Sequence, residues 1–123
     1  MKRLLRLICC FRRFYEGHSE SGERAIGAAV SRDGVSWSRP AGSAPLLSAA
    51  RDDAAWDAGG VGGPFAVPMA AGKWRLYYDG YAAAARGARG AAAPCGVGLA
   101  LSADPASDAG DVTTRPFRRR AAQ

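Results

Sequence analysis

The chain has 123 residues and a formal net charge of +6, long enough for one ordinary domain and too short for several. The charge is uneven: residues 1–13 hold five basic residues and no acid, residues 115–120 hold four, and residues 14–114 carry eight basic against eleven acidic residues, a net of −3. A folded nucleic-acid binder carries its basic charge as a patch on the body, so no nucleic-acid partner is expected and the terminal arginines read as solvated tails.

Residues 1–13 form a basic segment or strand remnant. The apolar run from Leu4 to Phe11 is broken by Arg6 and is too short to span a bilayer, so no membrane partner is expected. The segment lacks the long apolar core and cleavage site of a secretory signal, while its acid-free start is compatible with organelle transit. Cys9, Cys10 and Cys95 are odd in number and match no zinc spacing. Read as reduced thiols, they favour an intracellular or organellar location.

Residues 11–16 are aromatic-rich and predict a strand. Residues 17–22 are polar and rich in Gly and Ser, a turn. Residues 24–31 are a compact Ala/Ile/Val strand that closes this hairpin. Arg32-Asp33-Gly34 is a tight turn, and residues 35–39 predict a short outer strand ending at Pro40. Residues 40–60 read as a crossing connection with Leu46-Leu47 as its apolar anchor. Residues 61–69 predict a strand that Pro64 and Pro68 deprive of ladder bonds on one side. A hairpin turn at residues 70–73 leads to the strongest strand, residues 74–81. Residues 82–94 are low-complexity Ala/Gly/Arg and predict a disordered loop, because Gly87 and Gly90 weaken a helix. Residues 95–102 are another strand, residues 103–114 a polar loop, and residues 115–119 a last outer strand broken by Pro116. No segment shows convincing helical periodicity.

Two stretches repeat. Phe14-Tyr15-Glu16-Gly17 precedes Ile26-Gly27-Ala28-Ala29-Val30-Ser31-Arg32-Asp33, and Tyr77-Tyr78-Asp79-Gly80 precedes Val97-Gly98-Leu99-Ala100-Leu101-Ser102-Ala103-Asp104. Tyr15 and Tyr78 are 63 residues apart, Gly27 and Gly98 are 71 apart, and the extra residues fall in the Ala/Gly/Arg stretch. A repeat of this period built from short strands predicts an all-β architecture of successive propeller blades. The expected fold is an incomplete five-bladed β-propeller of about two four-stranded antiparallel blades. Residues 14–60 would be the first blade and its crossing loop, residues 61–119 the second, and residues 120–123 a tail. Propellers carry roughly four to eight blades, so further blades or self-association are expected.

Ser31-Arg32-Asp33-Gly34-Val35-Ser36-Trp37 is the sharpest local motif. The Asp carboxylate accepts backbone N–H groups of its own turn, Gly permits positive φ, and Trp packs under the hairpin. It resembles the Asp-box-like turn of sialidase and five-bladed glycosidase propellers, which implies a structural role for Ser31, Asp33, Gly34 and Trp37, and for Asp104 in the second copy.

Trp56-Asp57-Ala58-Gly59-Gly60-Val61-Gly62-Gly63-Pro64, Val67-Pro68, Trp74-Arg75-Leu76-Tyr77-Tyr78-Asp79-Gly80 and Val97-Gly98-Leu99-Ala100-Leu101-Ser102, in this order, resemble a blade of the arabinanase/levansucrase/invertase superfamily, the glycoside hydrolase family 43 and family 32 type of propeller. The resemblance covers residues 14–104. It implies carbohydrate as the partner and hydrolysis or transfer of arabinoside, xyloside or fructoside bonds as the parent activity. The sequence itself offers no metal-ligand cluster and no phosphate-cradling loop, so no cofactor and no metal are expected. The resemblance also implies carboxylates facing each other across the scissile bond. The inner-strand Asp that stands before Pro in related sequences is Gly63 here. Asp57 is the candidate catalytic or sugar-contacting carboxylate, and Trp56 and Phe65 are the candidate sugar platforms. Glu16 and Asp79 hold equivalent places at strand ends and read as turn anchors, His18 as a solvated turn residue. With one inner carboxylate missing, this chain is not expected to act alone; the alternative is a non-catalytic carbohydrate-binding or scaffold propeller. A basic-tailed RNA-associated protein is a third, weaker possibility.

Overall fold

The computed structural model describes residues 11–39, 42, 44–87, 92–102 and 117–120. Six strands run through it in order: β1 (Phe11–His18), β2 (Arg24–Ser31), β3 (Gly60–Pro68), β4 (Trp74–Tyr81), β5 (Gly96–Ser102) and β6 (Phe117–Arg119), with 3-10 turns at Ala70–Gly72 and Ala83–Ala85. The architecture is all-β, as the short β-branched and aromatic runs between Gly-rich turns predict. β1 and β2 form one antiparallel sheet, and β3-β4-β5-β6 form a second as a meander.

The repeat in sequence is also a repeat in register. Tyr15 pairs with Gly27 across β1–β2, and Tyr78 pairs with Gly98 across β4–β5. Each tyrosine ring lies on the glycine opposite: a methyl group added at Gly27 would sit 2.9 Å from the Tyr15 ring, and one added at Gly98 would strike the Tyr78 ring. At both positions the cross-strand ring occupies the volume that a side chain would take.

Alternation then sorts the faces. On β1, Arg12, Phe14 and Glu16 share the side that meets the second sheet. Phe14 packs 5.8 Å from Trp74 and 6.1 Å from Phe117, ring centre to ring centre. On β4, Leu76 and Tyr78 are buried between the sheets with Ile26, Ala28, Val61, Ala100 and Phe117, and Leu46-Leu47 of the crossing segment complete this core. The other side of β4 carries Arg75, Tyr77 and Asp79, opposite Leu101, Leu99 and Val97 of β5. This side is open: Val97 is 71% exposed and Phe65 67%.

Two expectations change. The first sheet has two strands among the described residues, not four. The outer strand expected at residues 35–39 is reduced to one antiparallel bridge, Val30 to Ser38, because residues 31–37 spend their hydrogen bonds within their own turn. The stretch after Tyr81 is not wholly a free loop. Ala83–Ala85 makes a 3-10 turn, and Arg86 donates to the Ala58 carbonyl at 2.8 Å and to Asp53 Oδ1 at 2.7 Å. At β3, the ladder shifts between Gly62 and Phe65. Gly63 sits at φ +50 there, a bulge that agrees with the prolines beside it.

Candidate functional site

Asp57 lies in the crossing segment just before β3 and is 1% exposed. Its Oδ2 accepts the Tyr78 hydroxyl at 2.9 Å and the Arg119 Nε–H at 2.7 Å. The Arg119 guanidinium also donates to the Ser48 carbonyl. One carboxylate thus joins the crossing segment, β4 and β6. A buried charge is tolerable only when paired and hydrogen-bonded in this way. Burial raises the Tyr78 phenol, and the hydrogen bond and negative charge of Asp57 add to it, so that it reaches about 12. Trp56 stacks on Tyr78 at 5.9 Å and covers Gly80 and Gly96, neither of which leaves room for a side chain beneath the indole without contact.

Trp56 and Asp57 therefore meet in one place, around Tyr78. Phe65 does not join them; it pairs with Tyr77 on the open side of the second sheet. Asp104 lies outside the described residues. Sequence reasoning missed Arg119 as the partner of Asp57, because their contact spans 62 positions. The alternation Phe117-in, Arg119-in was the available signal.

The turn residues form the expected bonds. Ser31 Oγ accepts the backbone N–H groups of Asp33 at 3.2 Å and Gly34 at 2.8 Å, and its hydroxyl donates to Asp33 Oδ1 at 2.9 Å. Asp33 Oδ1 accepts Val35 N–H and Ser36 N–H, both at 2.8 Å. These bonds, the Ser36 amide foremost, hold the Asp33 carboxyl below its ordinary value of 3.8. Gly34 takes φ +79, and Trp37 Nε1–H closes the turn on the Gly34 carbonyl at 3.2 Å. Asp33 Oδ1 is thus taken up within its own turn, by two backbone amides and the Ser31 hydroxyl, which is a turn-holding role.

The other acids are also placed. Glu16 Oε2 is 3.0 Å from His18 Nε2, so His18, exposed as expected, has a partner. Asp79 lies against Gly63. Among the described residues, His, Cys, Asp and Glu side chains do not gather in a group of three that could hold a metal. Cys95 is a free, exposed thiol.

A cleft of about 610 Å³ opens at the end of the first sheet, where the β1–β2 turn, the crossing segment and the connection after β4 converge. Its size is that of a ligand site. Tyr15, Arg24, Arg39, Arg51 and Arg86 line it, and Glu23 is its one acid. Arg24 is 5% exposed, and its guanidinium lies 4.2 Å from the centre of the Tyr81 ring. Among the described residues, no carboxylate pairs with Arg24 or Arg39. The cleft therefore presents net positive charge suited to an anionic group.

No protein-family model, curated protein or solved structure matches this chain.

Proposed function

We propose that the chain supplies two successive blades of a glycosidase-type β-propeller and acts there as a non-catalytic scaffold, with carbohydrate the partner of the assembled ring. The observation that carries this is the doubled register, with Tyr15 on Gly27 and Tyr78 on Gly98. In that register Val97 stands where Ile26 stands in the first sheet. Ile26 is 0% exposed against the second sheet, whereas Val97 is 71% exposed. The open side of the second sheet is thus the counterpart of a side that is buried one repeat earlier. An apolar sheet face of this kind is a blade-to-blade surface.

Hydrolysis by this chain itself has less support. Glycoside cleavage needs two carboxyl groups flanking the bond, and Asp57 is buried in its pair with Arg119.

Repeat proteins gain stability from each neighbour interface. A tandem duplication of the chain should therefore unfold at a higher urea concentration than the single chain, because the Val97 side becomes covered. An unchanged midpoint would remove the blade reading. Aryl arabinoside, xyloside and fructoside probes should show no turnover; turnover that disappears in Asp57→Asn would return the chain to the glycosidase class.

A further inference from the structure

The doubled register makes the large cleft interpretable. Over the second sheet, Trp56 covers Gly80 and Gly96, and Asp57 is held by Tyr78 and Arg119. The equivalents in the first sheet follow from the paired positions. Tyr15 corresponds to Tyr78, Gly17 to Gly80, Ala25 to Gly96 and Gly27 to Gly98. Ser38 opposes Val30 as Arg118 opposes Leu101, so Arg39 corresponds to Arg119. All five equivalents, Tyr15, Gly17, Ala25, Gly27 and Arg39, line the cleft. At Gly80 an added methyl group would strike the Trp56 indole, but at Gly17 the nearest atoms are 3.9 and 4.0 Å away and belong to Ala25 and Tyr15. Among the described residues, the first sheet thus has the same tyrosine, arginine and small-residue floor, with no ring above Gly17 as Trp56 lies above Gly80.

We propose that this cleft binds a peptide segment bearing a Trp-Asp pair, contributed by a neighbouring repeat, in the way the second sheet binds Trp56-Asp57. The carboxylate would accept the Tyr15 hydroxyl and the Arg39 guanidinium, and the indole would stack on Tyr15 above Gly17 and Ala25. Arg24 is buried and the cleft's arginines outnumber its one acid, Glu23, so charge complementarity favours the acidic segment. Asp57 of a second copy is buried in that copy's own bonds with Tyr78 and Arg119, so the segment comes from another repeat. The proposal rests on the blade reading, yet the two fail separately: the tandem unfolding midpoint concerns the Val97 side, and the test below concerns only the cleft.

The probe is an acetylated, amidated peptide Ala-Trp-Asp-Ala-Gly-Gly, the sequence of residues 55–60, titrated into the nitrogen-labelled chain. Saturable amide shifts are expected at Gly17, Ala25 and Gly27, with a dissociation constant on the order of 1 mM for so short a ligand. Arg39→Ala and Tyr15→Phe, both at positions reached by solvent, should each weaken binding, Arg39→Ala by roughly tenfold because a charge-assisted bond is lost. A peptide with Asn for Asp, or Ala for Trp, should weaken likewise. Absence of saturable shifts overturns the proposal. So does binding that is indifferent to Arg39→Ala. Equal binding by galacturonate or by the peptide lacking Trp also overturns it, assigning the cleft to small carboxylates instead.

Discussion

Arg119 reaches across 62 positions of sequence to donate its Nε–H to Asp57 Oδ2 at 2.7 Å. The two partners are unequal in exposure: the Arg119 side chain is 31% exposed and that of Asp57 1%. Removing one member of a buried pair leaves the other uncompensated. Asp57→Ala leaves a guanidinium that can turn to water, so its cost should be about 2–3 kcal/mol. Arg119→Ala leaves a buried carboxylate with one hydroxyl donor, and should cost about 4 kcal/mol. Urea unfolding with unchanged slope measures both. Equal costs would mean that Asp57 already has access to water.

Tyr78 lies in the same cluster and gives it an alkaline limit. Its folded-state value of about 12 exceeds the ordinary 10.0. The folded chain therefore keeps this proton after the unfolded chain has lost its own. Stability from this group is complete below about pH 10 and declines as the pH climbs toward about 12. The full difference corresponds to on the order of 3 kcal/mol. Tyr78→Phe should lose roughly 1 kcal/mol at neutral pH and should flatten the alkaline decline. Urea midpoints at about pH 8 and about pH 11 test this; an equally steep decline in the variant would place its origin elsewhere.

The strands were legible because their signals are local. β2 and β4 appear at their predicted limits, and each repeat announces its register through a tyrosine and a glycine. The outer strand of the first sheet was misjudged because Ser31 and Asp33 spend the backbone bonds of residues 33–36 inside the turn, leaving Ser38 alone to pair. The role of Arg86 could not be read from an Ala/Gly/Arg stretch, since its partners Asp53 and Ala58 are more than two dozen positions away. Trp56 and Asp57 were singled out as a candidate sugar platform and carboxylate, and the structure places both against Tyr78. What surrounds them, Tyr78 and Arg119, is set by strand pairing and by the crossing segment, neither of which has a local signature.

The two Tyr-on-Gly contacts should respond differently to the same substitution. Tyr78 is 2% exposed and hemmed in by Trp56 and Asp57, so a methyl group at Gly98, 2.6 Å from its hydroxyl, meets a ring that cannot move. Tyr15 is half-buried at the cleft and can swing aside. Gly98→Ala should cost about 2–3 kcal/mol, in the range of overpacked cores, and Gly27→Ala under about 1 kcal/mol. Thermal unfolding of the pair, with Tyr78→Leu added to relieve the first, checks the mechanism: partial recovery is expected only for the Gly98 variant.

Asp33 sets an acid limit of the opposite sign. Its carboxyl is held below the ordinary 3.8 by the amides of Ser36 and Val35 and by the Ser31 hydroxyl. The unfolded chain takes up this proton first as the pH falls, so the contribution of the turn is complete above the ordinary carboxylate range and is lost as the pH falls through the lowered value. Asp33→Ala removes the acceptor for Val35 and Ser36, and should loosen residues 31–37 at every pH, seen as faster amide exchange at Val35 and Ser36. Asp33→Asn keeps an acceptor oxygen but carries no charge. It should therefore hold the turn less tightly at neutral pH and remove the acid sensitivity of those two amides. An Asp33 carboxyl that titrates at or above 3.8 by side-chain carbonyl shift would show that the turn does not favour the charged form, and the acid limit would then belong to another group.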